Sequence, residues 1–185
     1  MQMNLTAALL LSHLVGDFPL QTNQVYRLKN KSWLGIMLHA VIHVASAALL
    51  VKEPLRVWPL LALLGILHFL IDLVKLRIPT KHQSVGFLVD QLAHLLVLWL
   101  LGQVWDMNAD ARLSLPVMMP MILYGFFLAI LVFLWVVANE LSGSAWGNRQ
   151  YMQWARAHLL QVSQLAGIPL LFSLAHNWYH TASRS

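Results

Sequence analysis

The chain has 185 residues, 59% of them hydrophobic and 10% charged, with a mean hydropathy of +0.65. Soluble domains carry about 25% charged residues, so the composition excludes an ordinary soluble fold and predicts an all-α, polytopic bundle of about five or six membrane helices. With no cysteine and a net charge of +5 that forms no Lys/Arg block, disulfides, thiolate-held zinc, iron–sulfur clusters, a thiol nucleophile and nucleic-acid binding are all excluded.

The first apolar segment, residues 3–15, runs into Gly16, Asp17, Phe18 and Pro19. It is short for a full span, and Pro19 disfavours a helical Phe18, so a tilted or partly inserted helix is expected. It has neither a basic leader nor a small-residue cleavage site, which argues against a removed signal peptide. A polar, basic connection with Arg27, Lys29 and Lys31 follows. The second helix spans residues 33–51 and its strongly polar residues are His39 and His43. The third, residues 57–76, carries His68, Asp72 and Lys75. The fourth, residues 84–105, carries Asp90, Gln91 and His94. Asp106, Asp110 and Arg112 lie in a loop before an uncharged fifth helix, residues 116–139. The last apolar stretch, residues 157–178, contains Gln161, Gln164 and Pro169 and is the weakest span, able to lie along the interface instead. Residues 1–104 then read as a membrane core, and 105–185 as two further membrane or interfacial helices of the same integral unit.

Counting Lys and Arg on alternate loops of a six-span chain gives eight on one side (Arg27, Lys29, Lys31, Lys75, Arg77, Lys81, Arg149, Arg156) and four on the other. The positive-inside rule then predicts both termini outside and the first loop in the cytoplasm of a bacterial inner membrane. Trp58 and Trp105 fall together at the outer interface and Trp33 at the inner one.

Four helices each present two ionisable side chains at i and i+4, on one helical face: His13 with Asp17, His39 with His43, His68 with Asp72, and Asp90 with His94. At about 1.5 Å rise per residue, the four sets fall at overlapping depths near the cytoplasmic side. Ionisable groups inside a membrane face partners or a wet cavity. Lys75 balances one of the three carboxylates and leaves two that must protonate, pair or coordinate. Mixed imidazole and carboxylate donors from facing helices suit one or two divalent transition-metal ions, such as zinc, iron or manganese. A proton relay and structural hydrogen bonding between helices are the competing readings, and His39 with His43 alone would also fit a haem.

On this reading the metal ligands come from His13, Asp17, His39, His43, His68, Asp72, Asp90 and His94. Asp72 and Asp90 are candidate general bases. Lys75 either snorkels to the interface or neutralises developing negative charge. Gln21 and Gln91 are supporting hydrogen-bonding residues. Glu140, His158 and His82 belong to solvated loop ends, and His176 with His180 to the opposite end.

The set of four motifs, from His13-Leu14-Val15-Gly16-Asp17-Phe18 with Gln21, through His39 and His43, then His68, Asp72 and Lys75, to Asp90-Gln91 with His94, resembles a small bacterial and phage membrane family of unknown function, family 3307. The resemblance covers about the first hundred residues and implies no activity. A weaker similarity of pattern is to membrane-bound metal-dependent hydrolases. The expected function is a membrane-embedded metal-dependent hydrolase acting on a lipid-linked or amphipathic substrate, with membrane lipid as the surrounding partner. A small proton or divalent-cation transporter and a non-catalytic assembly subunit are the alternatives.

Overall fold

Pro19 and the turn it sits in end the first helix, α1 (Met3–Asp17), after 15 residues. That is about 22 Å at helical rise, less than a hydrocarbon core of about 30 Å. In the computed structural model, which describes residues 3–78, 80–104 and 110–182, this short helix is the axis of the bundle. Leu5, Ala8, Leu9, Leu11, Leu14 and Val15 are all buried, and α1 packs on the helices over residues 33–50, 83–104 and 115–140. Five helices are long and apolar enough to cross a membrane: α3 (Trp33–Leu50), α4 (Trp58–Arg77), α5 (Gln83–Val104), α6 (Leu115–Glu140) and α7 (Gln150–Ala182). The protein is an all-α membrane bundle. Trp105 and Asp106 lie outside the described residues; Trp58, the expected interfacial partner of Trp105, is exposed.

The polar connection expected before α3 is itself a helix, α2 (Asn23–Lys31). Thr22 caps it, its hydroxyl accepting from the Val25 N–H at 3.4 Å. Ser32 then serves both neighbours: its N–H closes α2 on Leu28 O at 3.1 Å, and its hydroxyl accepts from the Gly35 N–H at 3.1 Å to start α3. Gly35 is required there, because a Cβ would run into the backbone carbonyl of Leu28. The α2–α3 corner is therefore fixed, and it turns Lys29 inward.

The last stretch is longer and better packed than its sequence suggests. α7 runs antiparallel along α6, stitched by Tyr124 OH to Ala166 O (2.8 Å) and Trp135 Nε1 to Arg156 O (3.2 Å). By length and composition it is one of the five helices able to cross a membrane. At the far end of the bundle, Val51 and Ala111 form an antiparallel bridge, beside the Lys52–Asp110 ion pair at 2.8 Å. Lys52 and the Ala111 N–H hold the Asp110 carboxyl below its ordinary range.

Two apolar cores flank the polar level. One gathers α1, α6 and α7 around Leu11, Leu14, Met118 and Leu128. The other fills the end of α1, α3, α4 and α5 nearest Val51 with Leu5, Leu9, Ala47, Leu60, Leu64 and Leu98.

Candidate metal centre

Each of the four i, i+4 pairs turns toward the bundle axis. His13, Asp17, His39, His43, His68, Asp72, Asp90 and His94 are all 9% exposed or less; none faces lipid. Their positions follow from simple helical placement. α1 and α4 bring their pairs in from the C-terminal part of each helix, while α3 and α5 present theirs from the first turns to just past the middle, so antiparallel neighbours meet at one level.

Three ligand atoms converge most closely. Asp17 Oδ1 lies 3.0 Å from His39 Nε2 and 3.1 Å from His43 Nε2, and the two Nε2 atoms are 3.3 Å apart. Tetrahedral coordination at about 2.0 Å separates ligand atoms by about 3.3 Å, so these atoms form the face of such a site. His68 supplies a fourth ligand atom within 4.8 Å of the others. Two further groups of ligand spacing overlap the first: His13, His68 and His94, and then Asp72, Asp90 and His94. His68 lies between two rings, with its centroid 3.7 Å from His43 and 4.2 Å from His94. The buried His/Asp groups can therefore hold a metal ion. His68 Nε2 and Asp90 Oδ1 have no hydrogen-bond partner among the described residues, which leaves them free to coordinate.

The second layer is built of amides and lysines. Gln91 Nε2 donates to Asp17 Oδ2 at 2.9 Å, and its Oε1 lies 3.4 Å from His13 Nε2. Gln21 Nε2 is 3.4 Å from His39 Nε2. Lys75, whose side chain is about a third exposed, places its Nζ 2.6 Å from Asp90 Oδ2. The residue missing from the sequence reading is Lys29. Its Nζ sits 2.6 Å from Asp72 Oδ1, with Asp72 fully buried and the lysine side chain 9% exposed. The contact is a charge pair rather than an aligned hydrogen bond, since neither Asp72 oxygen has one. Three carboxylates against two ammonium groups leave one negative charge at the site, not two. Burying it still calls for a cation or a proton.

His82 is an exposed loop residue and Glu140 ends α6, as the sequence indicates; the two also bind one another at 2.7 Å, and Glu140 accepts from the Ser84 N–H at 2.8 Å near the start of α5. This clamp holds the N-terminus of the helix that carries Asp90 and His94. His158 stacks on Trp154, and His176 pairs with His180 at a ring separation of 4.4 Å; neither joins the cluster.

Gly16 is the tightest constraint on the site. A Cβ there would lie 2.5 Å from His43 Cε1 and 2.7 Å from both ring nitrogens. Gly16→Ala is expected to push the His43 ring out of place, lowering metal affinity and costing about 1–3 kcal/mol of stability. Unchanged metal content and unfolding midpoint in the purified variant would contradict this packing.

A cleft of about 570 Å³ reaches the cluster from the side of α2 and the α4–α5 connection. Asp17, Asp90 and Gln91 form its floor, Lys29 and Lys75 stand beside them, and Val132, Trp135, Val136 and Leu160 of α6 and α7 form an apolar wall. Asp72 is not exposed to it. The C-terminal helices thus complete the site, which nothing in their own motifs indicated.

No curated protein and no solved structure matches the chain. A family model described as a protein of unknown function, DUF3307, matches residues 5–122, which runs past the four motif helices into the first turns of α6. The chain belongs to the DUF3307 family.

Proposed function

We propose that the protein is a metal-dependent hydrolase of the bacterial inner membrane, with its centre opening through the cleft toward the cytoplasm. The observation that carries this reading is the Asp17–His39–His43 triangle, whose 3.0–3.3 Å edges match those of a coordination polyhedron. A divalent ion held there would acidify a coordinated water and polarise a substrate oxygen. His39, His43, Asp17 and His68 would hold it, and either His13 with His68 and His94 or Asp72 with Asp90 and His94 has the spacing to extend the centre to a second ion. Of the two candidate bases, Asp90 borders the cleft whereas Asp72 does not; with one ion in the Asp17, His39, His43 and His68 set it would accept a proton from water, and with a second ion bound it would be a ligand beside Asp72 and His94. Lys75, already beside Asp90, would balance negative charge growing on the substrate. Gln91 orients Asp17 and His13, as outer partners of metal ligands do.

Transport would need a polar path through the bundle. The apolar core of Leu5, Leu9, Leu60, Leu64 and Leu98 occupies that route, which supports a one-sided site. Elemental analysis of detergent-purified protein is expected to find about one or two transition-metal ions per chain. The double variant His68→Ala with Asp90→Ala should lose them. Metal retained in that variant would remove the ligand assignment, and cation flux into proteoliposomes would replace hydrolysis with transport.

A further inference from the structure

The two lysines and the apolar wall of the cleft are not explained by metal binding alone. Lys29 and Lys75 belong to different helices, yet each places its Nζ 2.6 Å from a carboxylate oxygen of the cluster, on Asp72 and Asp90 respectively. Both lysines border the cleft, and so does the apolar wall of Val132, Trp135, Val136 and Leu160. Asp72 and Asp90 are also two of the three members of one ligand group. A cation bound by those carboxylates and the two ammonium groups compete for the same negative charge. When the ion takes the carboxylates, the lysines lose their counter-charges while remaining beside the cleft. A divalent ion turns the site's net charge from negative to positive, and a positive site next to an apolar wall calls for an anionic head on an apolar chain.

Resting on the metal centre proposed above, we infer that the cleft seats a membrane lipid with a phosphate-monoester headgroup. The phosphate pairs with Lys29 and Lys75 as the ion displaces them from Asp72 and Asp90. Lysine binds phosphate as a point charge, and two lysines match a group of up to two negative charges. The acyl chain lies along α6 and α7, against Val136 and Leu160. Metal and lipid then bind cooperatively, and linkage requires the effect to be reciprocal.

The test measures the affinity of the full-length, detergent-solubilised protein for dioctanoyl phosphatidate by calorimetry, in the zinc-loaded state freed of excess ion and in the chelated state. Phosphatidate is expected to bind the loaded protein about tenfold or more tightly than the chelated one. Dioctanoylglycerol, which has the tails without the phosphate, and inorganic phosphate, which has the head without the tails, should each bind at least about tenfold more weakly. Val136→Trp, which narrows the apolar wall without touching any His or Asp, should weaken phosphatidate binding and leave zinc content unchanged. Lys75→Gln should remove most of the difference between the loaded and chelated states. Equal affinity for phosphatidate and dioctanoylglycerol would overturn the headgroup assignment, and equal affinity for phosphatidate and inorganic phosphate would overturn the lipid. Equal affinity with and without zinc would overturn the exchange of charges. A protein that takes up no zinc would instead defeat the metal centre, and the comparison of head and tail on the metal-free protein would still decide whether a lipid binds.

Discussion

Lys29→Met is expected to destabilise the metal-free protein by about 3–5 kcal/mol, the usual consequence of leaving one partner of a buried ion pair alone. Asp72 has no exposure and neither of its oxygens makes a hydrogen bond among the described residues. The 2.6 Å contact with Lys29 is therefore its closest compensation. Asp72→Asn in the same chain should restore most of the loss, since an amide needs no counter-charge, and the double-mutant cycle should report strong coupling. Unfolding in mixed micelles, followed by tryptophan fluorescence, gives the four stabilities. Additive losses would show that the pair is not energetically coupled. With an ion bound at Asp72, Lys29→Met should cost less, because the carboxylate then has a second positive neighbour.

The same pair shows where the sequence could be read and where it could not. The i, i+4 spacing of His and Asp on apolar helices predicts both the cluster and its level, because helical geometry is local and the cost of burying charge leaves few alternatives. The depth argument works for α1, α3, α4 and α5 for that reason. Lys29 escaped because it lies in a segment whose composition reads as a solvated connection; only the Thr22 and Ser32 caps mark it as helix. One signal did point to it, namely the shortage of positive charge left after pairing Lys75 with a single carboxylate. The roles of Val132, Trp135 and Val136 were not legible, since an apolar side chain on a membrane helix looks the same whether it faces lipid, core or cleft. The burial of α1 was hidden for a related reason: a short span gives no sign that its neighbours wrap it on all sides.

Asp17→Asn should have the largest effect on the site itself. Asp17 Oδ1 is shared by His39 and His43, while Oδ2 accepts from Gln91 and lies 3.5 Å from His13. One carboxylate thus organises three helices, α1, α3 and α5. The amide keeps the volume but removes the charge and turns one acceptor into a donor facing Gln91 Nε2 or the two Nε2 atoms. Loss of a second-layer partner alone costs about 10–100-fold in metal affinity. For a residue that also supplies a ligand atom, a loss beyond about 100-fold is expected, read by competition with a chelating dye. A variant that binds metal as tightly as the parent would place Asp17 outside the coordination sphere.

The central claim is that imidazole and carboxylate groups from neighbouring helices share one cation. X-ray absorption at the metal edge of the purified protein addresses it most directly. The account predicts about four to six nitrogen or oxygen neighbours at about 2.0–2.2 Å, with the outer-shell scattering of two or more imidazole rings, lost in His39→Ala with His43→Ala. A protein with no stoichiometric metal, or a bound ion whose spectrum shows no imidazole, would contradict it.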